Sequence, residues 1–298
     1  MKRRSVRTNL TGYLFISPWL ISLLVFTLLP TLWSLYLSFT NYSLLSQPKF
    51  IGLENYINMF QNPTFWKSLK VTATYALLSV PLHIITALLA ALALYRKKPG
   101  IGIYRTIFYV PSFIGGSVGV AVMWRMIFSD SGFINSFLVS MGLEKMKFFN
   151  SLSNALYTLV AIQTWVLGTA MLIFIAGLQQ VPQELYESAT IDGAGRVRKF
   201  FSITLPLISP MVLYNLILGI INAMQVFTSG FVITKGGPAK STYFYVLYLY
   251  EEAFKYHNMG YASALAWILF LLIFVLTLIV LRVSKQMVYY ETDQKRGA

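Results

Sequence analysis

The 298-residue chain contains no cysteine, which excludes disulfides, thiolate metal sites and cysteine nucleophiles together. It has two histidines, His83 and His257, too far apart in sequence for a histidine-rich metal motif. Charge is also scarce: 24 Lys and Arg and 10 Asp and Glu make up 11% of the residues. A soluble domain carries about a quarter charged residues, so an ordinary water-soluble enzyme is not what this composition describes. A hydrophobic fraction of 56%, with 16% aromatics, excludes a disordered chain as well. The remaining class is a protein whose solvent is mostly lipid. The net charge of +14 does not point to nucleic acid, because Lys and Arg form no stripe.

The chain does hold long apolar runs. Six of them, at about residues 12–39, 71–95, 107–128, 155–178, 207–230 and 261–281, have the length of a membrane-spanning helix. Inside lipid every backbone N–H and C=O must be satisfied within the segment or by a closed sheet. The alternating ten-residue strands of a barrel are absent, so an all-α polytopic membrane protein with six transmembrane helices is expected. Only the third run carries a charge, Arg125, close to its end. The first run follows Lys2, Arg3, Arg4 and Arg7, as a signal peptide would. It is far longer than a secretory h-region, contains Pro18 and Pro30 and lacks an A-x-A site, so it reads as a retained helix.

The cations are divided unevenly between the two sides. The N-terminus, the second and fourth connections and the C-terminal flank hold fifteen, among them Arg96, Lys97, Lys98, Arg105, Arg196, Arg198 and Lys199. The opposite loops are longer and hold eight, including Lys49, Lys67, Lys145 and Lys235. The positive-inside rule therefore puts both termini in the cytoplasm. The expected organisation is a cytoplasmic N-terminus (1–11), a permease domain (12–283) and a cytoplasmic tail (284–298), with residues 179–206 as an internal loop.

That loop carries the most specific pattern in the chain. Pro182 suits a first helical turn, and Glu184 follows where acids favour the helix dipole. Leu185, Ala189 and Ile191 fall on one strip. Asp192-Gly193 and Gly195 then break the helix, and a second short helix is expected over 196–203, ending before Pro206. The result is a helix–turn–helix with small residues at the bend, where another surface can approach.

Glu187-Ser188-Ala189, two residues, Asp192-Gly193-Ala194, eight residues and then Ile203-x-Leu205-Pro206 resembles the EAA loop of importer permeases, the membrane subunits of binding-protein-dependent ABC transporters. Ser188 departs from the family's usual alanine and is still small. Phe50-Ile-Gly-Leu-Glu-Asn-Tyr56, Tyr104-Arg-Thr-Ile-Phe-Tyr-Val-Pro111, Gly236-Gly-Pro238 and Met259-Gly-Tyr-Ala-Ser-Ala264 are similar to the carbohydrate branch, of the maltose and glycerol-3-phosphate type. The resemblance implies a cytoplasmic coupling loop in a bacterial cytoplasmic-membrane protein. It also implies a second homologous permease, two ATPase subunits and an extracytoplasmic solute-binding protein, with a carbohydrate, an oligosaccharide, as cargo. Glu184, Glu187, Ser188, Ala189, Asp192, Gly193 and Ala194 would be the ATPase-coupling residues: Glu187 would make a polar contact, and Gly193 would sit where no side chain is tolerated. The chain has no G-x-x-x-x-G-K-[ST] phosphate loop, so ATP and magnesium are expected on the partner ATPase, with no cofactor and no catalytic or metal site here.

Polar residues within spans are costly and therefore informative. Gln163, Trp165 and Thr169 in the fourth run and Asn222, Gln225 and Phe227 in the fifth are candidates to line a sugar path. Asn215, Asn222 and Gln225 share a helical face by their spacing. Interhelical hydrogen bonding is the competing role for such amides. Gly115 and Gly119 form a G-x-x-x-G pair suited to helix packing, and His83 reads as a packing histidine. The aromatic stretch 241–256 suits either a lipid–water boundary or a docking surface for the solute-binding protein, with Glu251, Glu252 and residues 54–66. A self-sufficient secondary carrier is the alternative function, but five of the six runs hold no ionisable acid or base of the Asp, Glu, Lys or Arg kind. An intramembrane enzyme would need a catalytic pair that the spans do not contain.

Overall fold

A computed structural model describes residues 13–44, 46–96 and 98–285. The N-terminal segment 1–11, Gly12, Lys97 and the tail from 286 onward lie outside the described residues. The chain divides into two compact units, Met1–Asn62 with Leu249–Phe270, and Pro63–Tyr248 with Leu271–Ala298.

In the first unit α1 (Tyr13–Ser38) is 26 residues long. At about 1.5 Å per residue this exceeds the roughly 30 Å hydrocarbon core. It widens at Leu23–Leu28, and Leu29 N–H donates to Leu24 O, five residues back. Pro30 follows immediately; its ring crowds the carbonyl one turn earlier, and the wider turn relieves that. Past α1, the antiparallel pair Thr40–Asn41 with Lys49–Phe50 turns the chain into α2 (Glu54–Gln61). Here the 50–56 motif has a structural role. Buried Asn55 donates its amide to Ser38 O and Thr40 O, both at 2.9 Å, and Ser38 Oγ lies 2.7 Å from Tyr56 OH. The open carbonyls at the end of α1 are thereby capped.

The second unit is built on α3 (Pro63–Leu94), a 32-residue helix. It is followed by α4 (Ile101–Ile114), α5 (Val118–Ile127), α6 (Phe133–Ser140), α7 (Asn154–Thr164) and α8 (Gly168–Gln180). Then come α9 (Gln183–Ile191), α10 (Arg196–Lys199) and α11 (Ser209–Met224). A six-residue helix, α12 (Tyr245–Tyr250), and the long α13 (Met259–Ser284) cross from one unit into the other along the chain. The core joins α3 to α8 through Ala87, Ala91, Leu94, Ala170, Met171, Phe174, Ile175 and Leu178, with Ile208 before α11. Three alanines in this group let the helix axes come close. Gly168 goes further: a Cβ there would stand 2.6 Å from Tyr109 Cα and 2.7 Å from Phe108 O, so α8 starts against the backbone of α4. Of the G-x-x-x-G pair, Gly115 is tightly packed on Val166, whereas Gly119 faces open space.

Among the described residues, four stretches, Tyr13–Ser38, Pro63–Leu94, Ser209–Thr234 and Met259–Ser284, are long and apolar enough to cross a membrane. The third and fourth predicted runs are not single rods. α4 and α5 meet at 105°, and α7 and α8 at 49°. Pro111, Gly115 and Gly116 precede the first break, and Ser117 restarts the helix by accepting from Val120 N–H at 3.3 Å. None of the four halves is long enough to cross by itself, since fourteen residues of helix reach only about 21 Å.

Candidate functional site

The predicted loop forms a helix, a turn and a helix. α9 has no buried residue, and Glu184, Glu187, Ser188, Asp192 and Gly193 are exposed, with Ala189 and Ala194 half-buried. The bend is closed by two hydrogen bonds, Ala194 N–H to Ala189 O at 2.9 Å and Gly193 N–H to Thr190 O at 3.1 Å. This is the pairing of a Schellman cap, which places the residue after the cap in the left-handed region. Gly193 has φ +74°. A Cβ on it would meet nothing within 4 Å, so its restriction is conformational, not spatial.

The second limb differs from the expectation. α10 does not stop before Pro206; it continues through a wide turn at Phe200–Thr204 into Leu205–Leu207. Leu205 N–H donates to Phe200 O, again five residues back and again just before a proline. The same widened turn that spares Pro30 lets the chain run unbroken from the loop toward α11. Tyr186 OH meets Thr204 Oγ1 at 2.7 Å, and Lys199 Nζ meets Thr190 Oγ1 at 2.6 Å, so the two limbs are cross-braced. Leu185, Ile191, Val197 and Phe201 remain exposed, Ile191 at 88%.

The candidate path residues part company. Gln163 and the exposed Asn222 line one small cavity of about 70 Å³ together with Tyr75, Ser79, Val80, His83, Gly219, Ala223 and Val226. Small-molecule pockets run to about 300–1,000 Å³, so this one has room for a few waters only. His83 hydrogen-bonds the Gln163 main chain, and its Nδ1 is buried without a partner. Tyr75, Ser79 and His83, at spacings of four on α3, are the polar lining residues absent from the expected path. Their i, i+4, i+8 spacing was the available signal.

Trp165, Thr169, Gln225 and Phe227 lie outside that cavity. Trp165 packs edge-on against Trp124 with centroids 5.3 Å apart, at the break between α7 and α8. Thr169 is held by its main chain, whose N–H donates to Ser112 Oγ at 3.2 Å. Gln225 caps the end of α11 and is exposed, and Phe227 stacks on Phe231 at 5.1 Å. Asn215 is buried and turned back on its own helix, donating to Met211 O at 3.0 Å. The helix ends at Met224, which is why Gln225 leaves the face that Asn222 occupies.

Most rings of the aromatic stretch pack inside the fold. Tyr243, Phe244, Tyr245 and Tyr248 are buried, with Phe244 edge-on to Tyr75 at 5.1 Å and Tyr245 edge-on to Phe65 at 5.9 Å. Buried rings of this size dominate the energetics of a core, and edge-to-face pairs add about 0.5–1.5 kcal/mol. Phe254 and Tyr256 alone of the predicted rings stay more than half exposed.

Residues 83–289 match the family described as binding-protein-dependent transport system inner membrane component. The probable ABC transporter permease protein YesP of Bacillus subtilis (strain 168) is 46% identical, over 99% of this chain and 97% of its own length. The trehalose/maltose transport system permease protein MalF of Thermococcus litoralis is 34% identical over 92% of this chain and 93% of its own. In fold the chain is similar to a chain of a bacterial alginate ABC transporter crystallised with an alginate pentasaccharide-bound periplasmic protein. That likeness has a TM-score of 0.82 at 23% identity and covers 95% and 96% of the two chains. The chain belongs to the inner membrane components of binding-protein-dependent transport systems. It is a multi-pass membrane permease and a transport subunit, and the secondary-carrier alternative is not favoured.

Proposed function

We propose that this permease carries a saccharide, specifically an oligosaccharide, and that it does so as one half of a heterodimeric path. MalF's description as a trehalose/maltose permease and the saccharide named with the alginate transporter support the cargo class. The lining of the central cavity agrees in chemistry: two carboxamides, a phenol, a hydroxyl and an imidazole, with no carboxylate and no Lys or Arg. Hydroxyl-rich ligands are read by such donors and acceptors. In this reading both broken helix pairs are crossings, giving six, and both termini face the cytoplasm with 179–206 between them.

The single observation that carries the mechanism is the bare α9 turn. A Schellman-capped helix with Leu185, Ile191, Val197 and Phe201 uncovered is a finished shape without a partner. We assign that partner as an ATPase subunit holding ATP and magnesium, docked over Glu184, Glu187, Ser188, Ala189, Asp192, Gly193 and Ala194. Its closure would move α9, and the continuous run from Arg196 to Leu207 would pass the displacement into α11. Loading would come from an extracytoplasmic solute-binding protein on the opposite side. The test is sugar uptake into proteoliposomes by the complete assembly and by the purified chain alone. Uptake is expected only from the assembly; full uptake by the chain alone would establish a secondary carrier instead.

A further inference from the structure

A second cavity, of about 510 Å³, lies between α9 and the ends of α3 and α8. Its wall is amphipathic. Leu92, Leu178 and Val181 line one part, while Arg96, Arg196 and Lys199 bring three cations against one carboxylate, Glu187. Tyr186, Thr190 and Thr204 add hydroxyls. Among the described residues the one ion pair is Lys255–Glu251, so none of these three cations is neutralised by a carboxylate. The wall is also held in place. Arg105 donates to Leu94 O at 3.0 and 2.7 Å and to Tyr95 O at 3.2 Å, pinning the end of α3 from which Arg96 projects. Gln179 Nε2 reaches the same Tyr95 O at 3.4 Å, and the Arg96 guanidinium lies 5.9 Å from the Tyr95 ring centroid. Of the residues assigned to the exposed face of α9, Glu187 alone also lines this cavity, and none of the sugar-path candidates does.

We propose that the cavity between α9 and the ends of α3 and α8 binds a phosphate oxyanion, through Arg96, Arg196 and Lys199. Clustered cations with hydroxyl donors suit a phosphate, and basic pockets between helices at a cytoplasmic membrane face take anionic lipid headgroups. The two sources of this chemistry are an anionic phospholipid, whose acyl chain would follow Leu92 and Leu178, and a free phosphate from solution. The site braces α9 from the side opposite its uncovered apolar face, so its occupancy sets how stiffly the coupling helix is held. The placement at an inner leaflet rests on the orientation proposed above.

The test uses the complete importer complex, in nanodiscs of phosphatidylcholine alone and of phosphatidylcholine with phosphatidylglycerol. Native mass spectrometry counts the phosphatidylglycerol retained per copy, and a third arm adds inorganic phosphate to the neutral nanodiscs. Arg96→Gln and Lys199→Gln are each expected to weaken retention about fivefold, the scale of one cation near an anionic surface. Arg96→Lys should recover most of it, and Lys147→Gln, elsewhere on the surface, should match wild type. Protection by inorganic phosphate of a Lys199 label, without lipid retention, supports the oxyanion site with a soluble source. Equal retention by Arg96→Gln, Lys199→Gln and wild type, with no effect of phosphate on the label, overturns the proposal. Lipid retained by a complex that imports no sugar would leave this site standing and sink the importer reading alone.

Discussion

The central cavity and the α9 turn are both polar and both carry predicted residues, yet they are built in opposite ways. The cavity is walled by α3, α7 and α11 and holds about 70 Å³, with His83 Nδ1 buried and unpartnered. The turn has no buried residue in α9, and the Asp192, Gly193 and Ala194 N–H groups at its bend are all paired to carbonyls of α9. One site is small and leaves a buried ring nitrogen unpartnered; the other is capped by its own hydrogen bonds and uncovered. Under the proposed function, a cargo would have to widen the first, whereas a partner would need only to meet the second.

The comparison breaks most sharply at the turn. Glu187→Lys or Gly193→Trp should abolish uptake, leaving less than about a tenth of wild type, while the chain still inserts and purifies; transport in proteoliposomes and ATP hydrolysis by the same assembly check this. Forcing a branched residue to positive φ costs about 1–2 kcal/mol, so Gly193→Val should uncouple more than it unfolds. Packing against a backbone comes next. Gly168→Leu has nowhere to place its side chain between Tyr109 and Phe108, and overpacking of this kind costs about 1–3 kcal/mol or more. A clear drop in thermal midpoint of the detergent-solubilised chain is expected, while unchanged stability would refute the close approach of α4 and α8.

In the cavity the effects are smaller and differ in kind. Asn222→Leu and Gln163→Leu should each reduce sugar uptake roughly tenfold, about the worth of one lost hydrogen bond to a ligand, with ATP hydrolysis retained. Gln225→Leu, outside the cavity, should change uptake less than Asn222→Leu. Equal losses would mean that the path includes the α11 terminus after all. The smallest effect belongs to Lys255, whose ammonium is held above its ordinary pKa by Glu251 at 3.2 Å. The pair is exposed, and Lys255→Gln should leave stability and uptake unchanged.

Local chemistry was legible in the sequence wherever neighbours along the chain supply it. The α9 helix, its stop at Asp192-Gly193 and the need for a special residue there follow from composition and spacing over about a dozen positions. The 71–95 and 261–281 runs were legible for the same reason, since a long uncharged stretch in lipid has only the helix available to it. The run through Pro206 was not, because a proline normally ends a helix and only a five-residue turn upstream of it spares the clash. Nor was the burial of Tyr243 to Tyr248: aromatic residues suit a boundary and a core equally well, and the choice depends on Tyr75 and Phe65 from far along the chain.

Low charge and long uncharged runs were enough to determine the solvent and the helical fold class. These are properties of residue type and order, and no distant contact can reverse them. Which polar residues face one another was decided by tertiary structure alone. Asn215 and Asn222 have the same side chain on the same helix; one folds back on Met211 O and the other lines a cavity with Gln163. The helix end at Met224, the close seating of Gly219 on Val80 and the three polar residues of α3 make that distinction. A carboxamide in a span must be satisfied, but its own helix and a neighbouring one satisfy it equally well. Only packing says which.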